Sequence, residues 1–169
     1  GICAAYAQGL GRFDAAMQRL TKPTPELGAR EGAPAAYRVK AAVWLETPAL
    51  REELFGAAGS FVDCEDFPEM RRAAEALDGQ LTATLQLDER DHNYAEGLLP
   101  ILEEKAGRIL CNGFPTGVEV CGAMMHGGPY PASTDVRSTS VGALAIQRWL
   151  RPGSYQNFPT ALLHPELRG

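Results

Sequence analysis

The spacing of hydrophobic positions along the chain changes several times, and each change marks an element. Ile2, Tyr6, Leu10, Phe13, Met17 and Leu20 recur three and four residues apart. That spacing predicts an amphipathic helix of about five turns. Gly9 and Gly11 fall inside it and weaken it without breaking the pattern. Residues 21–34 hold three prolines and two glycines and read as a surface loop. From 37 to 43 the period drops to two: Tyr37, Val39, Ala41 and Val43 on one side, Arg38 and Lys40 on the other. This predicts a strand with one buried face.

Residues 49–55 read as a short helix after Pro48, ended by Gly56, and 60–64 as a short strand. Asp66 is placed to cap a helix, and Glu69 three residues on completes a capping-box pattern. Phe67, Met70, Ala74 and Leu77 form that helix's apolar stripe, and Gly79 ends it. Leu81, Ala83, Leu85 and Leu87 alternate with Thr82, Thr84 and Gln86, the cleanest strand signal in the chain. Tyr94, Leu98, Ile101 and Leu102 give one more helix face, with Pro100 as a kink or a late start. Residues 108–112 read as a strand.

Residues 113–135 carry five glycines and three prolines. A structureless stretch of that length is expected to be functional or to cover a neighbour. Residues 139–150 predict a last helix, stopped by Pro152 and Gly153, and 154–169 an irregular tail. Alternating helices and strands predict an α/β fold with a largely parallel sheet, flanking helices and an extended tail. The expected division is a domain over 1–152 and a tail over 153–169 that packs elsewhere.

Composition narrows the class. A hydrophobic fraction of 45% and a charged fraction of 22% fit a folded globular chain. A net charge of -5 without a basic cluster argues against nucleic acid as a partner. Apolar runs are too short for a membrane span, and no signal-peptide pattern opens the chain. Cys3, Cys64, Cys111 and Cys121 form no C-x-x-C pair. They are expected to be reduced thiols in the cytoplasm. The chain starts at Gly1, inside a helical pattern, as expected of a piece of a longer polypeptide.

Several constellations bear on chemistry. Gly9-Leu10-Gly11 with Asp14 lacks the third glycine and the preceding strand of a dinucleotide fingerprint. Cys121 and His126 lie five residues apart, and a thiolate needs a base or a positive field to act as nucleophile. The plainer reading, a buried thiol beside a hydrogen-bonded imidazole, is preferred. Glu52 and Glu53 are adjacent, so on a helix they point about 100° apart; composition favours two solvated glutamates over one facing solvent and the other a cleft. Asp63, Glu65 and Asp66 are better explained by helix capping and a solvated turn than by a metal site.

At this point Glu52-Glu53-Leu54-Phe55-Gly56 resembles the E-E-[IV]-F-G-P motif of the aldehyde dehydrogenase superfamily, with Ala57 in place of the proline. Residues 108–113, Arg-Ile-Leu-Cys-Asn-Gly, resemble the strand and Asn after that family's last crossover helix. The runs N-G-F-P-T-G-V-E-V from Asn112 and H-G-G-P-Y-P from His126 are similar to the α-ketoglutaric semialdehyde (2,5-dioxopentanoate) dehydrogenases and their fatty-aldehyde relatives. Residues 77–85 fit the same branch, and the resemblance runs from about Ile2 to the end.

The resemblance implies oxidation of an aldehyde to a carboxylate with NAD or NADP, through a cysteine thiohemiacetal and thioester. It implies that Glu53 binds the nicotinamide ribose hydroxyls and that Phe55 flanks the nicotinamide. Asn112, Phe114, Pro115, Thr116 and Val118 become substrate-pocket candidates. The nucleophile, the base and the Rossmann half are expected upstream, in the N-terminal part of the same polypeptide, so no catalytic residue and no metal is assigned here. Gly79-Gln80-Leu81-Thr82 is not the nucleophile motif, because it has no Cys. The tail is expected to bridge subunits of a homo-oligomer. Two alternatives remain: a binding or assembly module that kept the fold and lost the chemistry, and a thiol enzyme using Cys121 and His126.

Overall fold

The computed structural model describes residues 1–22, 27–28 and 30–168. It has four α-helices: α1 (Ile2–Ala16), α2 (Ala41–Glu46), α3 (Phe67–Glu75) and α4 (His92–Lys105). Its strands are β1 (Gln18–Arg19), β2 (Ala35–Lys40), β3 (Ala58–Asp63), β4 (Gln80–Leu85) and β5 (Ala106–Cys111). β2 and β3 pair in parallel with Tyr37 opposite Ser60, and β1 adds to β2 antiparallel. β4 and β5 form a separate parallel pair with Ala83 opposite Ile109. The expected parallel α/β architecture with flanking helices is present, divided between two sheets.

The larger core gathers Phe13 from α1, Met17 just past its end, Tyr37 and Val39 from β2, Trp44 from α2 and Leu50. Tyr37 is fully buried; its hydroxyl donates to Asp14 at 2.9 Å and its ring meets Phe13 edge-on at 5.5 Å. Ala74, Leu98 and Leu102 form a second core over sheet β4–β5, with Phe67 and Ile109 against it.

Several elements depart from the periodicity. The first helix ends at Ala16, because Met17 turns to extended backbone and the next two residues pair with β2. Leu20 therefore lies outside it, its amide bound to the Ala36 carbonyl at 2.7 Å. The strand expected over 37–43 stops at Lys40. Ala41 and Trp44, three apart, are both buried, which fits the helical period, while Val43 is exposed.

In place of a helix over 49–55 there is one 3₁₀ turn, Pro48–Leu50, then irregular chain. The Arg51 guanidinium donates to the Leu45 carbonyl at 2.8 Å and lies over the Trp44 ring. Asp66 does cap α3, accepting from the Glu69 amide at 2.7 Å. Glu69 closes back on the Glu65 amide at 2.7 Å, one residue before the box position. α3 ends at Glu75, ahead of Gly79, and α4 runs through Pro100.

The helix expected over 139–150 shrinks to a 3₁₀ stretch, Ala143–Trp149. Buried Thr139 is the reason: its hydroxyl accepts from the His126 amide at 2.8 Å and donates to the Val141 carbonyl at 2.6 Å, tying 139–141 to the preceding loop. The expected loop over 21–34 is irregular where described, and residues 23–26 and 29 lie outside the described residues. The tail carries two short 3₁₀ turns, Thr160–Leu162 and Pro165–Leu167.

Candidate cofactor and substrate site

Glu52 to Gly56 cross from Leu50 to β3 without regular structure. The segment is held by α1. Gly9 lies against the Leu54 side chain and Gly56 against the Tyr6 ring, so closely that a β-carbon at either position would overlap it. The Tyr6 hydroxyl donates to the Ala33 carbonyl at 2.7 Å, which fixes the ring. Gly9, which the sequence offers only as a helix glycine, thus makes room for this segment.

The two glutamates have different partners. Glu52 is bound by Arg12 at 2.6 Å. Glu53 is exposed and makes no hydrogen bond or ion pair among the described residues. Three clefts border Glu53, and Glu52 lines the same three, so the ion pair with Arg12 is what separates the two carboxylates. One, of about 390 Å³, opens against Tyr6, Gly9 and Arg12 of α1. Another, of about 580 Å³, runs along Ala58 to Ser60. The third, of about 530 Å³, faces Gly79 to Thr82 and the Pro131–Ala132 stretch. Phe55 lines the first two and is 68% exposed. An unpaired carboxylate can accept two hydrogen bonds from vicinal hydroxyls, and an exposed ring offers a flat apolar surface to a planar group.

The second group of candidates lies past β5. Asn112 adopts a positive φ of 52°, which Asn tolerates better than most residues. Its side-chain oxygen accepts from the Leu87 amide and its NH2 donates to the Leu87 carbonyl, both at 2.8 Å. The amide is therefore occupied in fastening β5 to the chain after β4. Phe114 is 84% exposed, Thr116 and Val118 are exposed, and Pro115 is half-buried. None of the three clefts at Glu53 includes residues 112–118. The structure thus brings Glu53 and Phe55 together and gathers the substrate-pocket candidates elsewhere.

No hydrogen bond joins Cys121 to His126 among the described residues. The Cys121 carbonyl receives the Ala143 amide, and the His126 amide is bound by Thr139. Burial, with Glu69 nearby, pushes the Cys64 thiol above its ordinary pKa, so it stays protonated. Among the described residues no group of three His, Cys, Asp or Glu could hold a metal, and no helix is long and apolar enough to cross a membrane.

Sequence reasoning missed Arg12, Tyr6 and Arg108. The last has a signal in hindsight: it is the one charged position in the otherwise small and apolar run of β5.

Solved structures share this architecture. One is the Δ-pyrroline-5-carboxylate dehydrogenase from Mycobacterium tuberculosis, at a TM-score of 0.61 and 18% identity, with 98% of this chain and 31% of that one covered. Another is proline utilization A from Bdellovibrio bacteriovorus, at 0.65 and 19%, covering 89% and 15%. A 1-pyrroline-5-carboxylate dehydrogenase from Thermus with bound NAD matches at 0.56 and 21%, over 74% and 23%. These define the class of fold: that of dehydrogenase domains.

Sequence goes further, although no family model matches the chain. It is 51% identical over 170 residues to alpha-ketoglutaric semialdehyde dehydrogenase 2 of Azospirillum brasilense, covering 96% of this chain and 31% of that protein. It is 50% identical over 121 residues to the alpha-ketoglutaric semialdehyde dehydrogenase of Acinetobacter baylyi, covering 72% and 23%. The chain belongs to the aldehyde dehydrogenase superfamily and spans less than a third of the length of these curated relatives.

Proposed function

We propose that this chain is the later part of the catalytic domain of an NAD(P)-dependent aldehyde dehydrogenase whose substrate is α-ketoglutaric semialdehyde. The observation that carries the reading is the 51% identity across 96% of the chain to a protein of that name. The geometry at Glu53 supports it. Its carboxylate, unpaired and bordering three clefts, would accept hydrogen bonds from the nicotinamide ribose hydroxyls, and exposed Phe55 would flank the ring. The cofactor, when bound, accepts the hydride.

Residues 112–118 line the aldehyde's access. The cysteine nucleophile, the base and the dinucleotide-binding fold are supplied by the rest of the polypeptide. The 169 residues alone are therefore inactive. The tail bridges subunits of a homo-oligomer, in keeping with exposed Tyr155, Phe158, Leu162 and Leu167.

The test is the full-length protein with α-ketoglutaric semialdehyde and NAD or NADP, followed by cofactor absorbance. Reduction of either cofactor by the full-length enzyme, and none by the 169-residue chain, is expected. No reduction by the full-length protein would overturn the reading and favour an assembly module with the same fold.

A further inference from the structure

We propose that Arg108 is a positioning residue that fixes residues 113–118 as a rigid wall of the aldehyde's access route. The role of that wall rests on the functional reading above; the anchoring rests on the structure. Side chains alternate along β5, so Ile109 packs into the second core and Arg108, one residue away, stands on the opposite face. There it is half-buried and has no ion-pair partner among the described residues. Its buried Nε has no partner among the described residues, and its other two nitrogens are satisfied by backbone acceptors. It donates through Nη1 to the Gly117 carbonyl and through Nη2 to the Pro115 carbonyl, both at 2.8 Å, and Nη1 also approaches the Met124 sulfur at 3.5 Å.

Those two bonds are most of what holds the segment. Among the described residues, no backbone–backbone hydrogen bond reaches residues 113–120. The other anchors are Gln86 to the Gly113 carbonyl at 3.2 Å and the Asn112 fastening at its start. A loop with glycines at 113 and 117 and so few bonds would otherwise sample many conformations. The planar fork of an arginine spans two carbonyls two residues apart, which the single ammonium of a lysine does not reproduce. With its carbonyls drawn to Arg108, the segment leaves Phe114 and Val118 exposed and held in place. Loosening it should weaken binding of an aldehyde long enough to touch the wall and leave a short one unaffected, because the reacting groups lie elsewhere.

The experiment uses full-length protein carrying Arg108→Met, which keeps an unbranched chain and removes the donors, and Arg108→Lys. Backbone order parameters at the amides of 114 and 116–118 should fall from about 0.85 to below about 0.6 in Arg108→Met, with α4 unchanged. KM for α-ketoglutaric semialdehyde should rise about ten-fold with kcat within about two-fold, and KM for propanal should not move. Arg108→Lys should fall between, and it serves as the test if Arg108→Met fails to fold. Unchanged order parameters in the loop, full rescue by lysine, or equal KM increases for both aldehydes would overturn the proposal. If the wild type oxidises neither aldehyde, the functional reading fails and the wall with it, while the order parameters still decide whether Arg108 anchors the segment.

Discussion

Gly56→Ala tests the packing that supports the site. The added methyl would sit 3.0 Å from Cγ of Tyr6 and closer still to one edge of the ring. Tyr6 cannot easily give way: it is 5% exposed and its hydroxyl is bound to the Ala33 carbonyl at 2.7 Å. Overpacking at such a contact costs about 1–3 kcal/mol. If the ring swings aside, the buried Ala33 carbonyl loses its partner for about 1 kcal/mol more. The expected loss is therefore about 2–4 kcal/mol. Urea unfolding of the intact polypeptide measures it, in a cycle with Tyr6→Ala. Without the ring the methyl has room, so Gly56→Ala should cost little in that background and the coupling energy should be about 2 kcal/mol. Equal costs with and without the ring would refute the argument.

Two further outcomes follow from the cores. Tyr37 has its pKa pushed from 10.0 to about 12, by burial first and then by its hydrogen bond to Asp14. The folded state thus favours the neutral phenol; the stability is fully present below pH 10 and is lost as pH rises through about 12, up to about 2–3 kcal/mol. Unfolding free energies across that window should fall, and Tyr37→Phe should flatten the fall. Asp66→Ala removes the cap of α3, whose bond to the Glu69 amide is 2.7 Å. It should cost about 1 kcal/mol, read as a lower urea midpoint at unchanged slope.

Much of the fold was legible where one period persisted. Tyr37 and Val39 against Arg38 and Lys40, or Leu98 and Leu102 on one helix face, declared themselves because burial on one side leaves a repeat in the sequence. Boundaries failed where tertiary contacts outweighed local pattern. Met17 breaks the first helix because a two-residue strand beyond it pairs with β2, and nothing near it in sequence announces that. Thr139 was read as the start of a helix; its hydroxyl is instead spent on His126 and Val141.

The site divides similarly. Glu53 and Phe55 were visible through a motif, although the helix expected under them is absent. The reason Glu53 differs from Glu52 was not visible, because Arg12 lies 40 residues away in sequence. Arg108 was missed for another reason: its partners are nearby backbone carbonyls, which carry no residue signature.

If Glu53, and not Glu52, holds the nicotinamide ribose, steady-state kinetics of Glu53→Gln and Glu52→Gln in the full-length protein will separate the two. Glu53→Gln keeps the shape and one acceptor oxygen but removes the charge behind two charge-assisted hydrogen bonds. It should lose about 1–2 kcal/mol in the hydride-transfer step, roughly five- to thirty-fold in rate. Glu52 spends its carboxylate on Arg12 at the surface, so Glu52→Gln should stay within about two-fold. Two variants that behave alike, or a larger loss in Glu52→Gln, would contradict the assignment of this segment as the cofactor site.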